Sequence, residues 1–535
     1  MNRIYPVECI STECPVISDQ AIISERYQEL LGDESKLRAD HIQSIYFPRS
    51  IPEVSWALKD IRARKGTCVI SAGRTGIVGG AAPIGATSII SLGHLKSVLG
   101  VGRDGDEYFI RVQPGLSLAL LTGMLRKREF AAFVDSSEKD WAEVPELWFP
   151  VNPTETSAHI GGIVATNASG ARSFRYGATR EWVRGVSVLL ADGRLLNIRR
   201  GEVTADNEVF ILQEQDGKAT TIPVADVPLP GTKATLGYPL KGEMDLIDLF
   251  IGSEGTLGVL VEVELRLALR PDSMIGVLVT VPDEDTALQL VEVARSDESI
   301  AFDAIEYFDH SALSLLKQKK MADGAGSHIP DLPNWDGCGV YLEFSGSEAE
   351  IEKACLSLES ILAQAGLSID DTWAAMEPSE LAAQRVFRHA VPEAVNTIIG
   401  QRKAQHPGLH KVGTDMAVPD QQLRNLFALY RAELRGNCIE SVVFGHIGDN
   451  HVHVNLMPKN LTELEQAKAM YQGWAAKVVA MGGAVAAEHG IGRMKKGMLA
   501  LQYSPEVLKR MQVVRRAFDP HRLLAPGVLF DDLSA

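Results

Sequence analysis

The chain is 535 residues long, and 45% of its residues are hydrophobic, 23% charged and 6% aromatic. This is the composition of an ordinary globular protein, not of a disordered or fibrous one. With 53 basic and 69 acidic residues the formal net charge is -16, which argues against a nucleic-acid binder and against a protein held on a membrane by a polybasic surface. An anionic small molecule stays compatible with this charge, because a net charge does not describe a single pocket.

Targeting signals and cysteine clusters are both missing from the sequence. No apolar stretch of signal-peptide length opens the chain and no run of about 18 apolar residues occurs, so we expect a cytoplasmic protein without a transmembrane segment. The six cysteines stand singly apart from Cys9 and Cys14, and no disulfide framework is predicted. Because neither closely spaced cysteines nor a CxxCH motif occurs, the sequence offers no place for an iron–sulfur cluster or a covalent haem.

The first half of the chain predicts a mixed α+β domain. Residues 1–40 mix acidic and apolar positions and predict a helical lead. Over residues 41–270, short runs of Val, Ile and Leu bounded by Gly, Pro or Asp alternate with helical segments such as Pro52 to Arg64, which is the pattern of strands and helices in one domain. The polar and irregular stretch from Glu202 to Gly242 predicts a surface insertion or lid.

A second α+β domain is predicted for residues 271–528. It begins with alternating strands and helices, of which the segment EDTALQLVEVARS is one helix. From Leu461 to Arg516 the pattern is that of helices interrupted by a glycine-rich stretch. We expect the last part, about residues 500–535, to pack back on the first domain.

A glycine-rich loop from Ser71 to Gly80 directly follows the apolar run Cys68 to Ile70. Glycines allow backbone N–H groups to converge on an anion, so the loop is a candidate pyrophosphate site, and a plain glycine-rich turn is the alternative. No Gly-Lys-Ser/Thr follows, and the spacing does not match the dinucleotide fingerprint GxGxxG. A phosphate at this loop would therefore be bound by a loop that is neither a Walker loop nor a dinucleotide-binding GxGxxG loop.

Two later segments are also rich in glycine and small residues. The segment from Pro150 to Gly177 contains IGGIVATNASG, whose bare backbone suits a large planar ligand, and Gly252 to Gly258 reads GSEGTLG ahead of a strongly apolar run. Together with the loop Ser71 to Gly80, and in this order, they resemble the FAD-binding domain of vanillyl-alcohol oxidase-type flavoproteins. The resemblance implies a two-subdomain domain that binds FAD noncovalently.

By this resemblance the loop would hold the FAD pyrophosphate and other residues would line the rest of the cofactor. The implied residues are Ala72, Gly73, Arg74, Thr75, Gly76, Pro114, Gly115, Thr156, His159, Gly161, Gly162, Thr166, Asn167, Gly252, Glu254, Gly255 and Thr256. Two of them depart from the family pattern. Arg74 replaces a glycine and could reach the phosphates or point to solvent. His159 replaces a small residue, and we favour a packing role for it over a covalent link to the flavin.

A cluster of histidines occupies the second domain. Residues 444–455 read FGHIGDNHVHVN and residues 487–493 read AEHGIGR. Imidazole and carboxylate are the ligand types that borderline divalent metals favour, while satisfied core or surface histidines are the alternative for each one alone. His446 and His453 are seven positions apart, which on one straight strand would put them on opposite faces. Both can bind one ion only if the turn at residues 448–450 bends the chain.

These elements resemble the C-terminal domain of FAD-linked D-2-hydroxy acid dehydrogenases, whose pattern is H-x-G-D-G-N-x-H followed by E-H-G-I-G. Asn450 and His451 replace the Gly-Asn pair of that pattern. The resemblance, which now spans roughly residues 40–528, implies that His446, His453 and Glu488 bind a divalent metal. Zinc is the preferred ion, with iron and manganese as alternatives.

A local basic excess lies between Gln384 and Lys411. A basic patch in an acidic protein often marks an anion site, although a solvated helix face explains Arg402 and Lys403 equally well. Arg388 and Lys411 match family positions that bind the substrate carboxylate. A guanidinium can do so with two parallel hydrogen bonds, whereas a lysine acts as a point charge.

The resemblance implies an FAD-linked dehydrogenase of D-2-hydroxy acids such as D-lactate, glycolate or D-2-hydroxyglutarate. His489 would act as the general base, Asn455 would orient the substrate, and FAD would take the hydride. Electrons would then pass to an external acceptor, such as an electron-transfer flavoprotein, a quinone-linked protein or an iron–sulfur partner, and a homodimer is left open. Two alternatives are a non-catalytic flavin-binding subunit of a glycolate oxidase assembly and a metal-independent enzyme resembling alkylglycerone-phosphate synthase.

Overall fold

The computed structural model describes residues 3–6, 13–129, 144–214, 219–332 and 336–531. Within these residues the chain forms twenty strands in three sheets and fourteen α-helices, which confirms the predicted mixture of α and β elements. None of the described helices combines the length and the apolarity needed to cross a lipid bilayer.

The elements follow one another along the chain with these bounds. The strands are β1 Arg3–Pro6, β2 Val16–Ile17, β3 Ser44–Tyr46, β4 Cys68–Ser71, β5 Ser88–Ser91, β6 Val98–Asp104, β7 Glu107–Val112, β8 Leu147–Trp148, β9 Val183–Leu189, β10 Arg194–Arg199, β11 Val209–Glu214, β12 Ala219–Pro223, β13 Val259–Leu269, β14 Ser273–Val281, β15 Phe302–Phe308, β16 Cys338–Gly346, β17 Thr372–Ala375, β18 Val412–Gly413, β19 Ser441–Gly445 and β20 His453–Leu456. The helices are α1 Gln20–Arg26, α2 Ile51–Ala63, α3 Leu118–Lys127, α4 Ile160–Ala165, α5 Ser173–Tyr176, α6 Ile247–Phe250, α7 Glu284–Ser296, α8 His310–Asp323, α9 Glu348–Gln364, α10 Pro378–Lys403, α11 Leu423–Asn437, α12 Leu461–Ala480, α13 Lys496–Gln502 and α14 Pro505–Phe518.

Three sheets organise these elements. The largest has the order β12-β11-β1-β10-β9-β13-β7-β6, with β8 beside β13, and the smallest has the order β2-β3-β5-β4 with parallel pairing of β3, β5 and β4. The third is antiparallel and has the order β17-β14-β16-β15-β19-β20-β18. The chain leaves the largest sheet after Leu269 and enters the third at Ser273, close to the predicted domain boundary.

The first forty residues differ from the predicted helical lead. Their described part contains one short helix, α1, whereas β1 pairs with β10 and β2 pairs with β3. Sheet edges supply partners for these segments, and such tertiary pairing overrides a weak local helical pattern. Residues 1, 2 and 7–12 of the predicted lead lie outside the described residues.

The segment from Glu202 to Gly242 is wrongly predicted as a surface insertion. It contributes β11 and β12 to the largest sheet, and Phe210, Leu212 and Tyr238 are buried. Along β11, buried Phe210 and Leu212 alternate with exposed Ile211, which is the period of a strand with one face on the core. Polar residues of this strand pair lie on the other, exposed face, and β12 is the edge strand of the sheet.

The end of the chain returns to the smallest sheet. The N–H of Cys68 on β4 donates to the carbonyl oxygen of Leu523 at 2.7 Å, and the N–H of Ala525 donates back to the carbonyl of Cys68 at 2.8 Å. The buried carboxylate of Asp519 accepts hydrogen bonds from the N–H groups of Leu523 and Leu524. These contacts fasten the segment after α14 to the part of the fold that carries the glycine-rich loop.

The seven-stranded sheet positions the histidine cluster. Helix α10 packs on one of its faces through Phe387, whose ring lies 5.4 Å from that of Phe308 and 6.0 Å from that of Trp373. The amide of Gln384 donates to the carbonyl oxygens of Gly276 and Trp373, which fixes the helix to β14 and β17. The neighbouring strands β15, β19 and β20 then carry or directly precede the side chains of the candidate site.

Replacing Arg515 by Met tests whether a buried guanidinium fixes the end of the chain. Arg515 on α14 is 5% exposed and donates to the carbonyl oxygens of Leu524, Ala525 and Val528. Leaving these acceptors unpaired should lower the free energy of unfolding by about 1–3 kcal/mol. Denaturant unfolding checks this, with the exposed neighbour Arg516→Met as a control that should change it by less than about 0.5 kcal/mol. Equal losses in the two variants would contradict the assigned role.

Candidate functional site

A tight turn brings His446 and His453 together. After β19 the chain forms a single 3₁₀ turn over Ile447–Asp449 and then reverses at Asn450, whose φ is +53°. The N–H groups of Asp449 and His451 both donate to the carbonyl oxygen of His446. The ring centroids of His446 and His453 are 5.7 Å apart, so the predicted bend at residues 448–450 is confirmed.

Three donor atoms converge beside this turn. One nitrogen each from His446 and His453 and one carboxylate oxygen from Glu488 all lie within 4.8 Å of one another. The second ring nitrogens face the protein: Nδ1 of His446 is 3.0 Å from Oε1 of Glu306, and Nδ1 of His453 is 3.0 Å from the carbonyl oxygen of Thr414. Such outer contacts orient imidazoles toward a metal, so the three residues fit a divalent ion.

Two of these three groups have protonation states that suit a metal ligand. The exception is His446: burial alone would lower its pKa, but Glu488 and Glu306 outweigh burial and raise that pKa to about 9. Burial alone would raise the pKa of Glu488, but Lys233 and His446 outweigh it and hold that pKa well below its usual range. Burial lowers the pKa of His453 well below the ordinary value, helped by the neighbouring histidines. An ionised carboxylate and a neutral imidazole are the forms that bind a metal ion.

Asp415, which the sequence analysis did not identify, connects most of the cluster. It is 1% exposed, and its two carboxylate oxygens accept the N–H groups of Glu488 and His489, each at 3.1 Å. Lys495 donates to Oδ2 at 2.5 Å, and Nε2 of His451 lies 3.1 Å from Oδ1. Burial would raise the pKa of Asp415, yet His489 and Lys495 hold it well below its ordinary value. A lone acid in the apolar run VGTDMAV was the only signal available in the sequence.

His489 is partly accessible, with 30% of its side chain exposed. Its Nδ1 lies 3.4 Å from Oδ2 of Asp415, and its ring stacks on that of His453 with centroids 5.4 Å apart. The contact with Asp415 leaves Nε2 as the nitrogen that can meet a ligand. The predicted base therefore stands next to the predicted metal ligands.

Arg388 is more heavily paired than predicted. Its Nε donates to Glu306, its Nη1 lies 3.9 Å from Oε2 of Glu343, and its guanidinium carbon lies 4.7 Å from the centre of the Tyr341 ring. Burial opposes its charge, but Glu306, Tyr341 and Glu343 outweigh this effect and raise the pKa of Arg388 above the ordinary value. Glu306 also touches His446, so one carboxylate links the predicted anion site to the predicted metal site.

Lys411 and Asn455 share the face of the sheet on which His453 lies. The register of β18 and β20 pairs Gly413 with Asn455, and residues two apart on a strand point to the same face. Asn455 is 4% exposed, and Lys411 is partly buried without an ion pair to any described residue. Burial lowers the pKa of Lys411. An unpaired, partly desolvated ammonium is the stronger candidate for binding a carboxylate.

Lys233 also reaches the cluster and was missed, because it lies in the stretch predicted as an insertion. Its Nζ donates to Oγ of Ser173 at 2.9 Å and lies 3.5 Å from Asp449 and 3.7 Å from Glu488. Oγ of Ser173 in turn donates to Asp449 at 2.6 Å. A residue of the stretch predicted as an insertion therefore helps to balance the negative charge of Glu488.

The three glycine-rich motifs of the first domain converge. Gly161 donates its N–H to the carbonyl oxygen of Pro114, and Gly252 donates to that of Val164. Close contacts require glycine at two positions: a Cβ on Gly115 would lie 2.3 Å from the carbonyl oxygen of Leu92, and a Cβ on Gly161 would lie 2.5 Å from Cβ of Pro114. By contrast, a Cβ on Gly76, Gly162 or Gly255 would meet nothing within 4 Å, which leaves bare backbone facing open space.

Several of the predicted cofactor contacts have other partners as well. The loop residues Gly73, Arg74 and Thr75 border a cavity of about 430 Å³, and Arg74 donates to the carbonyl oxygen of Ala72. The hydroxyl of Thr256 is buried against Tyr238, and Oδ1 of Asn167 accepts the N–H of Arg180. Thr156 is exposed, and its carbonyl oxygen accepts the N–H of Ala119. Thr166 donates to Gly162.

His159 fits a cofactor-facing position. Its Nδ1 is buried and has no hydrogen-bond partner among the described residues. Burial lowers the pKa of His159, and the positive charges of Arg74 and Lys96 lower it further. A packing role for His159 would leave its Nδ1 without a hydrogen bond among the described residues. A buried nitrogen without a partner, close to glycines that carry no side chain, fits a bound FAD.

Glu254 joins the two predicted domains. It follows Gly252 in the third glycine motif, but its buried carboxylate accepts the N–H groups of Ile491 and Gly492 at 2.8 and 2.7 Å. These two residues follow directly on the loop that carries Glu488 and His489. The carboxylate predicted to contact the cofactor therefore also binds the segment of the second domain that follows Glu488 and His489.

Two family models match the chain. The model for the C-terminal domain of FAD linked oxidases covers residues 270–529, and the model for an FAD binding domain covers residues 139–199.

Curated relatives align over most of the chain. A probable mitochondrial D-lactate dehydrogenase of Danio rerio is 28% identical over 503 residues, which is 93% of this chain and 86% of that protein. A D-2-hydroxyglutarate dehydrogenase of Stutzerimonas stutzeri is 26% identical over 506 residues and 93% of each chain. A D-lactate dehydrogenase of Anaerostipes hadrus is 26% identical over 522 residues, covering 93% of this chain and 94% of that protein.

Solved structures share the fold. The structure of p-cresol methylhydroxylase with substrate bound superposes with a TM-score of 0.65 at 15% identity, covering 97% of this chain and 94% of that one. Alkyldihydroxyacetonephosphate synthase superposes with a TM-score of 0.62 at 16% identity, covering 96% and 82%. At such identities the likeness concerns the fold alone, and it confirms the predicted vanillyl-alcohol oxidase-type architecture.

The buried carboxyl of Glu254 should make stability depend on pH. Burial raises its pKa from 4.5 to about 7, even though two N–H groups and Lys495 favour the charged form. The folded chain therefore binds this proton more tightly than the unfolded chain does, and the stability that this provides is full below pH 4.5 and is lost as the pH rises toward 7. The difference in free energy of unfolding between wild type and Glu254→Gln should fall over this interval and be flat outside it.

Denaturant unfolding at a series of pH values measures that difference. The control is Glu352→Gln, which removes an exposed carboxylate on α9 and should show no slope. A slope of the opposite sign for Glu254→Gln would mean that the carboxyl is ionised at low pH in the folded protein, contrary to the burial effect.

Proposed function

The chain is an FAD-linked oxidoreductase in which an FAD-binding domain precedes the C-terminal domain of FAD linked oxidases, and on this premise we propose that it oxidises a D-2-hydroxy acid to the 2-oxo acid. Relatives named D-lactate and D-2-hydroxyglutarate dehydrogenase support this substrate class. The observation that carries the proposal is the placement of accessible His489 against the group His446, His453 and Glu488.

We assign a residue of the chain to carboxylate binding, to substrate orientation and to proton removal. Lys411, the unpaired ammonium, binds the substrate carboxylate as a point charge, and Arg388 adds the N–H groups that its glutamate partners leave free. Asn455, buried on the same sheet face, orients the substrate. His489 accepts the hydroxyl proton at Nε2, because its Nδ1 is directed at Asp415.

Two groups that the chain would hold supply the remaining chemistry. FAD on the glycine-rich motifs supplies the hydride acceptor. A divalent metal on His446, His453 and Glu488, with zinc preferred over iron or manganese, supplies Lewis acidity toward a bound hydroxyl. We propose that electrons then pass to an external acceptor, for which an electron-transfer flavoprotein, a quinone-linked protein and an iron–sulfur partner are the candidates.

The half-reaction tests the proposal directly. Purified protein should carry acid-releasable FAD, and under anaerobic conditions at least one of D-lactate, glycolate and D-2-hydroxyglutarate should bleach the flavin absorbance while L-lactate should not. In His489→Asn the amide can still face Asp415 but no base remains, so the rate of bleaching should fall about 10²–10⁴-fold with FAD retained.

An exposed position provides the control for that variant. His310→Gln, at the start of α8, should bleach at the wild-type rate. An unchanged rate of bleaching in His489→Asn would contradict the assignment of His489 as the base. A colourless purified protein would contradict FAD-linked oxidation as a whole. Activity that survives exhaustive chelation would favour the metal-independent alternative.

A further inference from the structure

Two mostly buried guanidinium groups at the proposed substrate site share the carboxylate of Glu343. Its Oε1 accepts from Nε of Arg172 at 2.7 Å, and its Oε2 lies 3.9 Å from Nη1 of Arg388. The hydroxyl of Tyr341 donates to Oε2 at 3.0 Å, and Glu343 is only 3% exposed. Burial would raise the pKa of Glu343, but Arg172 and Arg388 outweigh burial and lower that pKa, so this carboxylate is ionised.

Glu306 balances the remaining positive charge. It is buried and accepts a hydrogen bond from Nε of Arg388. Two carboxylates therefore face two guanidinium groups, and neither guanidinium keeps an uncompensated charge. Arg172 is occupied further, because its Nη2 donates to the sulfur of Met274 at 3.2 Å and its guanidinium carbon lies 5.0 Å from the centre of the Trp148 ring.

Of the residues that we assign to the substrate, Lys411 alone carries a positive charge without a counter-ion among the described residues. Burial is the cause that lowers its pKa, and no neighbouring charge opposes this effect. His389, which follows Arg388 on α10, adds no charge near neutral pH, because burial and the charge of Arg388 lower its pKa. One uncompensated ammonium matches one substrate carboxylate.

We propose that Glu343 restricts the enzyme to 2-hydroxy acids with a single carboxylate, because it neutralises the guanidinium groups that could bind a second one. The inference rests on the proposed function and narrows its substrate class to acids such as D-lactate, at the expense of dicarboxylic acids such as D-2-hydroxyglutarate. Glu343 is then a specificity-determining residue that acts on the substrate through its charge.

A second substrate carboxylate would find no partner in this arrangement. It lies at the opposite end of the substrate from the hydroxyl, so a metal that binds the hydroxyl does not serve it. Beside Arg388 it would meet the negative charges of Glu343 and Glu306, which repel it. Removing a carboxylate from water without a compensating partner is costly, and a like charge adds to the cost, so a protein can reject a ligand by these two effects. An uncharged substrate end escapes both.

The first test uses the full-length wild-type protein with FAD bound. The anaerobic rate of flavin bleaching is measured against concentration for D-lactate, D-2-hydroxyvalerate and D-2-hydroxyglutarate. The last two acids have the same number of carbon atoms and differ in the second carboxylate, so their comparison separates charge from size. The better of the two monocarboxylic acids should exceed D-2-hydroxyglutarate in kcat/KM by at least about 100-fold.

The second test is Glu343→Gln, which keeps the size of the side chain and removes its charge. The ratio of kcat/KM for D-2-hydroxyglutarate to that for D-2-hydroxyvalerate should rise at least about 10-fold, because Arg172 and Arg388 then carry an uncompensated positive charge. A merely structural role would lower both values and leave their ratio unchanged. The matched control is Glu264→Gln on β13, which removes another buried carboxylate shared by two arginines, Arg199 at 2.9 Å and Arg184 at 3.6 Å. Its ratio should equal that of wild type.

The outcomes separate this inference from the proposed function. A wild-type protein that oxidises D-2-hydroxyglutarate as well as or better than the monocarboxylic acids would overturn the inference and leave the proposed function in place. An unchanged ratio in Glu343→Gln with FAD retained would overturn the role of Glu343. If Glu343→Gln does not fold, the wild-type comparison still decides the substrate class. Flavin that none of these acids, nor glycolate, bleaches would overturn the proposed function and the inference with it.

Discussion

The buried carboxylate of Asp415 is the contact on which the rest of the site depends. It accepts the backbone N–H groups of Glu488 and His489, so the candidate metal ligand and the candidate base are fixed by one side chain. Lys495 offsets its charge at 2.5 Å, which a buried carboxylate requires. A few residues further on, Glu254 of the first domain binds the same loop at Ile491 and Gly492. The loop is thereby held at both ends, once by each domain.

A continuous network of buried charges surrounds this loop. Arg172 donates to Glu343 at 2.7 Å, Glu343 and Glu306 flank Arg388, and Glu306 touches His446. Buried ion pairs of this kind add little net stability, because the cost of removing charges from water offsets their attraction. Their effect is to fix geometry: the guanidinium of Arg388, proposed to bind substrate, and the imidazole of His446, proposed to bind metal, both contact Glu306.

Much of the fold and part of the site could be predicted from sequence. The glycine motifs and the turn between His446 and His453 are encoded within short stretches, where spacing and backbone freedom limit the choices. Asp415, Lys233 and Glu306 could not be found in this way, because each meets the cluster only through the pairing of distant elements. Composition misled for residues 202–242, because only alternate residues of β11 and β12 are buried and the polar residues between them resemble those of a loop.

Asp415 holds the proposed metal ligand Glu488 and the proposed base His489 in one arrangement. The most direct test is Asp415→Asn in the full-length FAD-bound protein, with zinc content per chain and the anaerobic rate of flavin bleaching by the preferred 2-hydroxy acid measured on the same sample. The amide keeps the size of the side chain but lacks its charge and one acceptor. We expect zinc content and bleaching rate to fall together, the rate by at least about 10-fold, while FAD content stays at the wild-type level. Wild-type zinc content together with a wild-type bleaching rate would contradict the account.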